Sequence, residues 1–93
     1  MSESSGIERV LKISNVRGLH ARAAAKFVWV LNEFDADVTV SRDDVTVDGR
    51  SIMGLLLLVA GRGTTIRLRA KGRDAEAALD ALAGLVDAQF YEE

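Results

Sequence analysis

His20 is the only histidine in a chain of 93 residues, and it stands where a helix is expected to begin. The surrounding segment reads Arg17-Gly18-Leu19-His20-Ala21-Arg22-Ala23-Ala24-Ala25-Lys26-Phe27. An imidazole can act as a nucleophile that carries a group covalently, and it does so in its neutral form. The first N–H groups of a helix have no partner within the helix. Together with the helix dipole they make a site for an anion. Arg22, two residues on, and Arg17, before the turn, bring guanidinium forks that suit phosphate oxygens. From Arg17 to Asn32 there are three basic residues and no acid, so the local sequence surrounds the ring with positive charge only. A phosphoryl group held on His20 is the chemistry this pattern admits. The plainer alternative is a surface histidine with no role.

Other chemistries fit less well. The chain has no cysteine, which removes disulfides, thiolate nucleophiles and cysteine-based zinc sites. One histidine without cysteine makes a poor metal site, so no metal is expected. A Ser-His-Asp triad needs three convergent groups, and nothing near His20 suggests one. Gly61-Arg62-Gly63-Thr64-Thr65 lacks the spacing of a phosphate-binding P-loop, and no cofactor motif is present. Nor does the chain contain the glycine-rich, arginine-bearing phosphate loop of an acylphosphatase. The site can accept and hold a phosphoryl group but has no evident machinery to break down a substrate. That describes a carrier rather than a turnover enzyme.

The composition, 48% apolar and 28% charged, suits a soluble globular protein. The length suits one domain spanning residues 1–93, with 1–6 a flexible tail. A net charge of −2 argues against nucleic acid as a partner. The longest apolar run, Leu55–Ala60, is far too short to span a bilayer, and the first residues lack the apolar stretch of a signal peptide. A cytoplasmic protein with no membrane association is expected. Charge is unevenly spread, since Asp74–Glu93 contains six acids and no base.

The elements that must position His20 follow from periodicity. Ile7, Leu11 and Ile13 alternate as one face of a first strand, interrupted by Arg9. A turn over Asn15–Leu19 leads into a helix with an apolar stripe at Ala24, Phe27, Val28 and Leu31, ending between Asn32 and Asp35. Val38 and Val40, then Val45 and Val47, form two arms of a hairpin that turns at Arg42–Asp44. Ser51 is placed to cap a short helix that Gly61 would terminate, with Leu55 and Leu58 or Val59 inward. Ile66, Leu68 and Ala70 line the inner face of a fourth strand. Asp74 is placed to cap a last helix whose buried stripe is Ala75, Ala78, Leu79, Leu82, Leu85 and Val86. The order β-α-β-β-α-β-α, with one polar face per strand, predicts an α+β fold. Its four-stranded, largely antiparallel sheet is covered by three helices on one side and open on the other.

Two surfaces are candidates for partner binding. Ala21 and Arg22 open the first helix, and Arg22, Ala25, Lys26 and Trp29 share a face away from its core stripe. Arginine and tryptophan are common interface anchors, although Trp29 could instead flank the core. Ile52, Met53 and Leu56 on the short helix form an apolar patch of the kind that marks interaction sites, and methionine packs adaptably against varied partners.

Gly18-Leu19-His20-Ala21-Arg22, followed by Ala24 and Phe27-Val28, together with Ser51-Ile52-Met53-Gly54 at this spacing, resembles the HPr family. These are the histidine phosphocarriers of the bacterial phosphoenolpyruvate-dependent phosphotransferase system. The resemblance spans residues 7 to 88 and implies the open-faced β-sandwich of that family. It implies that His20 is phosphorylated on Nδ1 by enzyme I and passes the group to an enzyme IIA. Arg22 would neutralise the phosphate, and Ser51 would be the target of an HPr kinase/phosphorylase. Such a carrier is expected to act as a monomer. The family commonly has proline after the arginine, where this chain has Ala23. The alanine-rich segment and the Ser51–Leu58 run look more like the nitrogen-related branch than the sugar-transport branch. A docking module of the same fold, acting without phosphotransfer, is the alternative.

Overall fold

A computed structural model describes residues 6–92; of the expected flexible tail, residues 1–5 lie outside the described residues. The chain forms β1 (Ile7–Lys12), α1 (Ala21–Leu31), β2 (Asp37–Arg42), β3 (Val45–Asp48), α2 (Ile52–Leu57), β4 (Thr65–Lys71) and α3 (Ala75–Asp87). A short turn over Gln89–Tyr91 follows. The four strands make one sheet in the order β1-β4-β2-β3, with every neighbouring pair antiparallel. The element order and the open sheet match the expectation.

The alternation read from the sequence is what closes the core. In β4, Ile66, Leu68 and Ala70 are buried while Thr65, Arg67, Arg69 and Lys71 are exposed. The inner residues meet Phe27 and Leu31 of α1, Leu55 of α2, and Leu79, Leu82 and Val86 of α3 in one apolar cluster. Each such leucine contributes about 1.5–3 kcal/mol of transfer free energy. The open face is held by polar cross-strand pairs. Glu8 faces Arg69 across the β1–β4 ladder, and its Oε2 accepts from Arg69 Nη2 at 2.8 Å. Ser41 and Thr46 pair hydroxyl to hydroxyl at 2.8 Å across β2–β3.

Tertiary contacts overrule local sequence at several places. Arg9, which breaks the apolar alternation of β1, donates to Asp80 of α3 at 2.8 Å, so the interruption is an inter-element ion pair. Asp74 occupies the N-cap of α3 but makes no cap bond there; its carboxylate accepts the backbone N–H of Asp35 at 2.8 Å. Gly61 does not terminate α2. The helix ends at Leu57, where Arg42 Nη1 captures the carbonyls of Leu58 and Val59, both at 3.0 Å. Val59 takes the left-handed φ of 49° and is exposed, so Leu58 and not Val59 is the inward residue. Arg50 closes the far end of α1 by donating to the carbonyls of Ala36, Phe34 and Leu31 at 2.6, 3.0 and 3.3 Å. A cation at that end is favoured by the helix dipole.

Candidate functional site

The turn before α1 is built to deliver His20 in one orientation. Gly18 has φ +68°, and a Cβ there would lie 2.6 Å from the carbonyl oxygen of Ala60. Only glycine accepts both that conformation and that approach. The close approach lets Leu19 N–H donate to Ala60 O at 2.9 Å, tying the entry of α1 to the exit of α2. Asn15, a buried polar residue, donates from Nδ2 to Gly18 O at 2.7 Å and locks the turn from inside. Nothing in its local sequence marks it for this role except its place before the glycine turn.

His20 is the N-cap of α1. Its backbone is extended (φ −85°, ψ −178°), and its carbonyl accepts the N–H of Ala24 at 2.8 Å. Its side chain makes no cap bond, so the ring leaves the first-turn N–H groups unclaimed. Ala23 is buried against the core. It is the third residue of α1, at the place where the resemblance implies a proline.

The expectation that only positive charge surrounds the ring is corrected by the structure. Glu92, which follows the Gln89–Tyr91 turn, places Oε2 2.7 Å from His20 Nε2, with the two side chains only 19% and 17% exposed. No pattern within the local sequence could reveal a contact between residues so far apart along the chain. The Glu92 carboxyl is held below its ordinary value of 4.5, chiefly by the hydrogen bond to His20. The Asn15 side chain, the charge of His20 and the Arg17 backbone N–H add to this, and partial desolvation opposes it.

The remaining candidates fall into two groups. Arg17 and Arg22 are exposed and make no ion pair among the described residues. Ala21 and Ala25 are exposed, and Trp29 is 73% exposed, which removes the reading in which it flanks the core. Lys26 is turned inward from that face: its Nζ donates to Phe90 O at 2.6 Å. On α2, Ser51 is the N-cap, its Oγ accepting from Gly54 N–H at 2.9 Å. Ile52 and Met53 are exposed, whereas Leu56 is half-buried. The exposed apolar surface instead continues over Leu57 and Val59, and over Val16 in the turn before His20. The apolar run is longer than one helix face, so some of it had to be exposed; only the start of α2 at Ile52 reveals which residues.

Residues 7–88 match the PTS-HPr family, described as the PTS HPr component phosphorylation site. The chain is 49% identical over 86 residues to the phosphocarrier protein NPr of Shewanella violacea, covering 92% of this chain and 94% of that one. It is 41% identical over 87 residues to the phosphocarrier protein HPr of Xylella fastidiosa, covering 94% and 98%. The fold superposes on HPr-C-His from Thermoanaerobacter tengcongensis with a TM-score of 0.88 at 39% identity, covering 94% of this chain and 98% of that chain.

Proposed function

The chain belongs to the PTS-HPr family, and from that premise we propose that it is a histidine phosphocarrier of the phosphotransferase system. In this reading His20 accepts a phosphoryl group on Nδ1 from enzyme I and passes it to an enzyme IIA. The observation that carries it is the uncapped mouth of α1: a histidine sits at the N-cap and its ring leaves the helix N–H groups unclaimed. Those N–H groups and the dipole favour an anion beside the ring. Arg22 in the first turn and Arg17 before it neutralise that anion, and neither makes an ion pair among the described residues. The output is regulatory and belongs to the nitrogen-related branch, in keeping with the identity to an NPr. The protein works as a cytoplasmic monomer, since the same face must release its donor before it meets its acceptor.

Docking uses the apolar surface on α2 and its exit loop, Ile52, Met53, Leu57 and Val59, flanked by Trp29 and Ala25 of α1. Leu56 contributes from beneath. Ser51 lies at the edge of this surface and is the target of an HPr kinase/phosphorylase. A phosphate there is tolerated by the helix N-terminus but adds up to about −2 charge to the docking face, so Ser51→Asp should slow charging by enzyme I.

The test is to incubate the protein with enzyme I, Mg²⁺ and labelled phosphoenolpyruvate beside His20→Ala. Acid-labile, alkali-stable label on the wild type alone is expected. No label, with an enzyme I that charges a known HPr, would replace this reading with that of a docking module acting without phosphotransfer.

A further inference from the structure

Glu92 has no part in the carrier reading as the family resemblance frames it, yet it makes the shortest side-chain contact that His20 has. The segment that brings it there is firmly held. Phe90 is fully buried in the core, and its carbonyl accepts from Lys26 Nζ at 2.6 Å. Gln89, Phe90 and Tyr91 all adopt the left-handed φ of 56–57°. Non-glycine residues in that region cost of order 1–3 kcal/mol each and persist only where the surroundings over-determine them. Here the buried phenyl ring and the lysine bond do so. The result is a strap that crosses the start of α1 and sets a carboxylate against one edge of the imidazole.

We propose that Glu92 is the positioning residue of the phosphoryl-accepting histidine, holding Nε2–H so that Nδ1 presents the ring's lone pair. The proposal rests on the reading above, that His20 accepts a phosphoryl group. An ionised carboxylate can only accept a hydrogen bond, so the nitrogen facing it at 2.7 Å carries the proton. A neutral imidazole has one N–H, and the other nitrogen is then the nucleophile. The same contact fixes the ring's orientation about its bonds.

In the transfer step the Nδ1 lone pair attacks phosphorus. The N–P bond forms as the donor's bond to phosphorus breaks, and that electron pair leaves with the donor. No proton leaves His20: the ring keeps Nε2–H and becomes a phosphoimidazolium cation. The Glu92 carboxylate faces that new charge. When the group moves on to an acceptor, the N–P electrons return to Nδ1 and the same tautomer is restored, ready for another cycle.

The experiment compares wild type, Glu92→Gln and Glu92→Ala, each checked to be fully folded under the assay conditions. Nitrogen-15 spectra of the labelled histidine, taken where the ring is neutral, report which nitrogen carries the proton. The initial rate of label uptake from enzyme I reports transfer. In the wild type the Nε2–H form should dominate. In Glu92→Ala it should give way to a mixture, with uptake slowed about tenfold, as loss of one charge-assisted hydrogen bond implies. Glu92→Gln keeps an acceptor oxygen and should restore the tautomer and part of the rate. A labelled wild type with Glu92→Ala equal to it in both tautomer and rate would overturn the positioning role and leave the carrier reading intact. A wild type that takes no label would overturn both.

Discussion

Helices α1 and α2 begin in opposite ways, although both start at a polar residue and their ends are tied by the Leu19–Ala60 bond. At α2 the Ser51 hydroxyl accepts a first-turn N–H at 2.9 Å, so the helix caps itself. At α1 the N-cap residue is a histidine whose side chain caps nothing, and its ring is directed to Glu92 instead. A serine, threonine or aspartate cap is worth about 0.5–2 kcal/mol over a non-capping residue. The chain forgoes that stabilisation at α1 and keeps it at α2. An unclaimed helix mouth is thus a local instability, and the proposed function gives it an external anion to hold. The fold compensates at the other end of α1, where Arg50 binds three carbonyls.

The largest effect should come from erasing the difference. His20→Asp, made together with Glu92→Gln so that no carboxylate faces another, gives α1 a capping side chain, and it should abolish phosphate acceptance while raising stability by about 1 kcal/mol over Glu92→Gln alone. Label uptake and denaturant unfolding, measured on the same sample, should move in opposite directions. A variant that lost both would show that the ring is needed for folding and would break the comparison. A smaller effect is expected at the second mouth. Ser51→Ala should lower stability by about 1 kcal/mol, a fall of roughly 4–8 °C in Tm for a domain of this size, with acid-labile label on His20 retained. The smallest effect concerns pH. The Glu92 carboxyl is held below 4.5 in the folded protein. Its contribution to stability is therefore complete above that value and is lost as pH falls through the lowered one. Unfolding free energies of wild type and Glu92→Gln should differ by a constant amount above pH 4.5 and converge below it; parallel curves throughout would show that the carboxylate is not coupled to folding.

What could be read from the sequence depended on range. The inner face of β4, the stripe of α1 and the Ser51 cap are set by residues a few positions apart, and the structure reproduces them. The α1 mouth was legible for the same reason, because glycine, histidine and the helix formers after it are neighbours. Asp74 looked like a cap, and its carboxylate went to Asp35, a residue brought near only by folding. Gly61 looked like a terminator, but the helix stops earlier, where Arg42 reaches in from β2 to the carbonyls of Leu58 and Val59 just past it. Glu92 is one of six acids in the base-free stretch Asp74–Glu93, and it lies against the ring. In each case a long-range hydrogen bond displaced a local one, and no periodicity encodes such a bond.

The sheet order β1-β4-β2-β3 also sets a timetable for synthesis. β1 and β2 cannot join one sheet until β4, made much later, slots between them, and such non-local pairings form slowly. His20 needs Ala60 to fix the turn before it and Glu92 to fix its ring. It is therefore among the first of the site residues to emerge from a ribosome and the last to find its place. A partly synthesised chain would already display the histidine without the contact that fixes its ring.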